Sequence, residues 1–206
     1  MMDTTTGDGS TGDAGALPAP VADWVVESDR QREELRALID AYSTEELMWR
    51  RGPGKWAIAD HVSHLVLTNS AYIPAIAEAA RRAKDAELLG TPPYRSSFVG
   101  SRFLRMLEPP VVRRFKTMKR LEPSTDDTPP AARVEAFEAG MEHLERVLRG
   151  AADVDLGRAK MRSPLMWLMK LTLAEAVQVV LAHNRRHLWL ADEVIRSPGF
   201  PAAGAA

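Results

Sequence analysis

The chain contains no cysteine. Disulfides, thiolate-bound zinc, iron–sulfur clusters and a cysteine nucleophile are thereby excluded, and any transition-metal site must be built from histidine and carboxylate. The lack of cysteine also fits a reducing compartment, so a cytoplasmic location is expected. Neither sign of charge dominates: 27 Lys and Arg stand against 28 Asp and Glu, a net charge of −1. Bulk electrostatics therefore give no reason to expect nucleic acid as a partner. No apolar run approaches the length of a membrane span, so no membrane partner is expected either. The glycine patterns of dinucleotide and phosphate loops are missing, as is the G-x-S-x-G nucleophile turn.

What is present suits one ordinary domain: 206 residues, of which 45% are hydrophobic, can bury a sizeable core. Residues 1–20 are rich in Gly, Thr, Asp and Ala and lack Lys and Arg. They read as a disordered acidic leader, with Asp3, Asp8 and Asp13 carrying its charge, and not as a signal peptide. The domain is expected over 21–196, and 197–206, opening with Ser197-Pro198-Gly199, as a flexible tail.

Within the domain the periodicity is helical, with no internal repeat and no convincing strand. Val21 to about Tyr42 reads as a first helix, and Ser43 is placed to cap a short turn through Glu46. Arg51-Gly52-Pro53-Gly54-Lys55 breaks the chain before a long segment from Ile58 to about Leu89, which Pro74 is expected to kink or split. Ala131 to Leu148 carries Val134, Phe137, Met141, Leu144 and Leu148 at helical spacing, with Gly150 as a stop. Thr172 and Glu175 make a capping box for a last helix to about Ile195. Four long helices predict an all-α protein, a four-helix bundle with an irregular middle. That middle is basic: between Arg95 and Arg120 lie eight Lys or Arg residues and one acid, Glu108. It reads either as a solvated face or as a patch drawing in an anionic ligand or cofactor, with Arg113, Arg114 and Lys116 as its contacts. Trp167 and the methionines around it read as core or pocket lining.

The chemistry is concentrated in His183-Asn184-Arg185-Arg186-His187. Residues four apart share a helix face, so both imidazoles can reach one metal ion, while Arg185 and Arg186 are expected on the outer face. Two inward imidazoles need polar partners, and a metal supplies one. No H-E-x-x-H base accompanies them, since Asn184 follows His183. The third ligand would come from Asp60-His61-Val62-Ser63-His64, where His61 and His64 lie three apart and either can face the bundle. The other histidine then has a supporting hydrogen-bonding role. Asp60 could orient a ligand or accept a proton, or simply compensate the helix N-terminus. His143, among Glu142, Glu145 and Arg146, is expected to be exposed and outside the site.

Gly54-Lys55-Trp56-Ala57-Ile58-Ala59-Asp60-His61-Val62-Ser63-His64-Leu65 resembles the "G-K-W-S-i-x-x-h-l-x-H-L" signature of the DinB-like superfamily, and His183 to His187 resembles its final-helix "H-x-x-R-H". The resemblance extends over about residues 20 to 196. It implies a four-helix bundle holding a divalent metal (zinc, nickel, iron or manganese) on His64, His183 and His187, and it selects His64 over His61. Ala57 departs from the usual serine, which weakens a helix cap and leaves the ligands untouched.

Relatives include thiol S-transferases that use bacillithiol or mycothiol, mycothiol-dependent isomerases and domains of sulfoxide synthases. The resemblance therefore implies a metal-dependent transferase in which the ion activates a low-molecular-weight thiol against an electrophile, in a homodimer. A hydrolase acting through a metal-activated water is the mechanistic neighbour, and a stress-associated metal-binding protein without catalysis is the alternative from another class.

Overall fold

The computed structural model describes residues 16–112, 117–123 and 128–201. In its first helix, α1 (Ala19–Asp40), Val21, Val25, Ser28, Gln31, Leu35 and Ile39 form one buried stripe at three- and four-residue spacing. The short α2 (Thr44–Met48) is capped by Ser43 as expected, in a full capping box: the Glu46 N–H bonds the Ser43 hydroxyl, and the Glu46 carboxylate accepts from the Ser43 N–H at 2.7 Å.

Of the two outcomes expected at Pro74, a kink or a split, the split does not occur: helix α3 (Ile58–Asp85) runs through it as one element. Proline removes the N–H that would bond the Ser70 carbonyl, but Ser70 and Pro74 are both exposed, so water can satisfy that carbonyl. The helix starts at Ala57, whose side chain offers no acceptor; only half of the capping box forms, with Asp60 accepting from the Ala57 N–H at 2.8 Å.

The middle section is more ordered than its composition suggested. α4 (Phe98–Leu107) is a ten-residue helix capped by Ser97, and a 3-10 turn covers Lys119–Leu121. Glu175 ties α4 to the last helix, α6 (Leu173–Ile195), accepting from the Ser97 N–H with one oxygen and the Thr172 N–H with the other. A Cβ at Gly100 would collide with that carboxylate, which is held on both oxygens, and this explains the glycine. The remaining long helix, α5 (Pro130–Gly150), starts with proline in its first turn, where no intrahelical N–H is required.

Two strands that the sequence did not reveal, β1 (Lys160–Arg162) and β2 (Lys170–Thr172), pair antiparallel with Met161 opposite Leu171. Each is too short to show a period of two. Trp167 and Leu168, at the hairpin's tip, are 71% and 75% exposed, so Trp167 is neither core nor pocket lining. Met166 and Met169 do line a cavity, as expected.

The four long helices close a ring: α1 packs on α5 and α6, and α3 packs on α5 and α6. Their inward stripes meet around Leu35, Leu65, Ile73, Ile76, Phe137 and Met141, all almost fully buried. Arg36 of α1 pairs with Glu138 of α5, and the buried Arg133 of α5 donates to the Ser63 hydroxyl and the Ala59 carbonyl of α3. The protein is all-α, with one minute hairpin among its described residues. Residues 1–15, which make up most of the expected leader, and 202–206 of the expected tail lie outside the described residues. Phe200, within that tail, packs edge-on against Tyr42 and Trp49 at 5.5 Å.

Candidate metal centre

Helix α3 supplies His61 and His64 from its first two turns, and α6 supplies His183 and His187 from its middle. Packing of α3 on α6 brings all four together: the His64 and His187 ring centroids are 4.5 Å apart, and those of His183 and His187 4.6 Å. One nitrogen from each of His64, His183 and His187 lies within 4.8 Å of the other two, a spacing that could hold a metal ion.

The hydrogen bonds around the cluster fix which nitrogen faces inward. His64 donates from Nδ1 to the Leu121 carbonyl at 2.7 Å, which leaves the Nε2 lone pair facing His183 Nε2 at 3.4 Å. Thr68, one turn beyond His64, gives its hydroxyl proton to the His64 or Leu65 carbonyl and turns its oxygen to His183 Nδ1 at 3.5 Å. His61 Nδ1 meets His187 Nδ1 at 3.0 Å. A proton on His187 Nδ1 in that contact leaves its Nε2 free, so the three rings can offer three Nε2 lone pairs together. Trp56 packs against the cluster edge-on to His61 and tilted to the others, its ring centroid 5.1 Å from both His61 and His64 and 5.9 Å from His187.

The surroundings favour the neutral form of His64, His183 and His187. His64, His61 and His187 are buried and His183 is half-buried. Burial pushes His183 down to about 3, with repulsion from His64 and Arg186 adding to the effect. His187 is held well below its ordinary value by burial first, then by His183, His61, His64 and Arg186. Burial also lowers His64, offset in part by its bond to the Leu121 carbonyl. Neutral imidazoles with free lone pairs are the form a metal binds, so the donor set fits a divalent transition ion.

The cluster opens into a cavity of about 1100 Å³, walled by apolar side chains that include Phe103, Met106, Met118, Met166, Met169 and Leu190. This is ample room for a small-molecule ligand beside an ion, since such pockets commonly run to about 300–1,000 Å³.

Several expectations change at this point. Arg185 and Arg186 do not lie on an outer face. Arg186 is 5% exposed, lines the cavity and donates to the Met106 carbonyl at 3.1 Å. Arg185 bridges Glu108 and Glu27, and Asn184 is fully buried against Gln31. The cause is that α6 is covered on nearly every side: α1, α3 and α4 all pack on it. Asp60 is bound to Arg50 at 2.9 and 3.0 Å as well as to the Ala57 N–H, which is the helix-start role. His143 is half-buried and lines no part of the cavity. Arg113, Arg114 and Lys116 lie outside the described residues. Thr68 and Leu121 had not been picked out; Thr68 was recoverable from its position four after His64, whereas a carbonyl acceptor such as Leu121 leaves no side-chain signal.

A ring of four helices with three convergent imidazoles at the floor of an apolar cavity defines a helical-bundle protein with a metal-competent site. The chain belongs to the DinB superfamily, whose sequence profile matches residues 27–191. No curated protein and no solved structure gives a significant match.

Proposed function

We propose that His64, His183 and His187 hold a divalent metal ion and that the protein is a metal-dependent transferase of a low-molecular-weight thiol. The observation that carries this reading is the convergence of three neutral imidazoles, with no carboxylate among them, at the floor of a chamber large enough for thiol and electrophile together. A divalent ion bound by neutral ligands keeps its positive charge, lowers the pKa of a thiol or water beside it and so favours the nucleophilic anion. The chain's own residues do the rest. His61, Thr68 and the Leu121 carbonyl orient the three rings, Trp56 covers them, and the methionine-rich wall excludes water from the reacting pair. The Asp60 carboxylate is already engaged by Arg50 and the helix start. Zinc, nickel, iron and manganese all suit an imidazole set.

A hydrolase is the second reading, favoured by Glu122, which lines the same cavity next to Leu121 and could take a proton from water.

Metal analysis of tag-free protein purified without chelator tests the foundation. About one ion per chain is expected in the wild type and none in His64→Ala or His183→Ala, with helical circular dichroism retained. Conjugation of mycothiol or bacillithiol to monochlorobimane, lost in the same variants, supports the transferase. Thiol-independent ester hydrolysis lost in Glu122→Gln would replace it with the hydrolase. Absence of metal after reconstitution with all four ions would overturn both readings.

A further inference from the structure

Among the described residues, the charged side chains that line the cavity are unevenly divided. Arg50, Arg51, Lys55 and Arg186 face it, against Asp60 and Glu122. Arg50 is neutralised by its two-pronged bond to Asp60. Arg51 and Lys55 are exposed, and their side chains make no hydrogen bond or ion pair with any described residue. They sit on the loop that ends at Trp56, the residue packed against the histidines, with the positive φ of Gly54 (67°) turning the chain between them. Elsewhere the wall is apolar and adaptable: Met106, Met118, Met166 and Met169 are unbranched and can fit ligands of differing shape.

The structure thus combines free cations at a mouth, a deep apolar wall and a floor whose imidazole donors bring no negative charge. We propose that the cavity selects molecules that join an apolar body to an anionic group, the body lying along the methionine wall and the anion, a carboxylate or phosphate, held at the rim by Arg51 and Lys55. This deepens the reading above by naming a substrate class. It rests on the cavity being the substrate chamber and needs no particular metal. An apolar chain without an anion loses the rim contacts, and a cationic one is repelled by them.

The test is calorimetric titration of the full-length protein, untreated and after chelation, with decanoate, decanol and decylamine, each below its aggregation limit. Decanoate is expected to bind about tenfold or more tightly than decanol, and decylamine more weakly than either. Arg51→Gln/Lys55→Gln should weaken decanoate about three- to tenfold, leave decanol unchanged and remove most of the salt dependence, because exposed charge pairs contribute modestly and are screened. Both substitutions are on the surface, and unchanged thermal unfolding would show that the fold is intact. Octyl phosphate against decanoate separates a phosphate from a carboxylate preference, and tighter binding than decanol by either one supports the class. Affinity for both decanoate and octyl phosphate no greater than for decanol, or an unchanged double variant, would overturn the proposal. So would a preference that vanishes on chelation, since the anion would then sit at the metal and not at the rim. Absence of metal from the wild-type protein after reconstitution, with the rim preference intact, would instead overturn the metal reading alone.

Discussion

The 3.0 Å contact between the Nδ1 atoms of His61 and His187 requires one proton between them. If His187 carries it, His61 is the acceptor and His187 turns Nε2 toward the other ligands. His61 then acts through its neighbour, as a positioning residue. His61→Phe keeps a ring beside Trp56 and removes the acceptor; it is expected to weaken zinc about 10–100-fold in a competition titration, the usual scale for such outer partners. His61→Gln, which retains an acceptor, should recover part of the loss. The rings of His64, His183 and His187 make acid sensitivity predictable. Their folded-state pKa values lie below the ordinary 6.5, with His183 at about 3, so between those limits the unfolded chain binds more protons than the folded one. Stability of the metal-free protein must therefore fall as the pH drops below 6.5, by up to about 2 kcal/mol per histidine at pH 5. Urea midpoints at pH 7.5 and 5.0 measure this, and His183→Gln should narrow the difference.

At the scale of the element, the start of α3 is under-capped. Ala57 has the extended backbone of an N-cap, φ −78° and ψ 169°, but no side-chain oxygen for the Asp60 N–H. Ala57→Ser is expected to add about 1 kcal/mol, read as a higher urea midpoint at unchanged slope. The capped starts of α2 and α6 and the breaker before α3 were legible because each uses a local signal: Ser43 with Glu46, Thr172 with Glu175, and Gly52-Pro53-Gly54. α4 was missed because its surroundings are basic and broken by proline pairs. Yet Ser97 at its cap and Phe103, Leu104 and Leu107 at helical spacing were a usable signal. The hairpin left none. The two histidines of α6 could be read from spacing, but the positions of Arg185 and Arg186 depended on how many helices cover α6, which its own sequence does not state.

For the molecule as a whole, the core and the candidate metal centre are separable. Phe137, Leu35 and Ile73 are buried without touching the cavity, so the bundle has a hydrophobic centre that does not rely on an ion. Removing metal is expected to lower the melting temperature while leaving helical content in place, and adding it back at a hundred times its dissociation constant should restore about 2.7 kcal/mol. Scanning calorimetry with and without chelator checks both halves of this expectation. A collapse of helical signal on chelation would mean that the bundle depends on the ion for folding.

The histidines that meet at 3.4 Å between α3 and α6 are 119 residues apart along the chain. An ion gripping both would act as a clasp on a long loop. Pulled from its ends in a single-molecule force experiment, the loaded protein should therefore hold back roughly 400 Å of slack. That length would be released as one abrupt step when the clasp opens, and metal-free protein would lengthen without it.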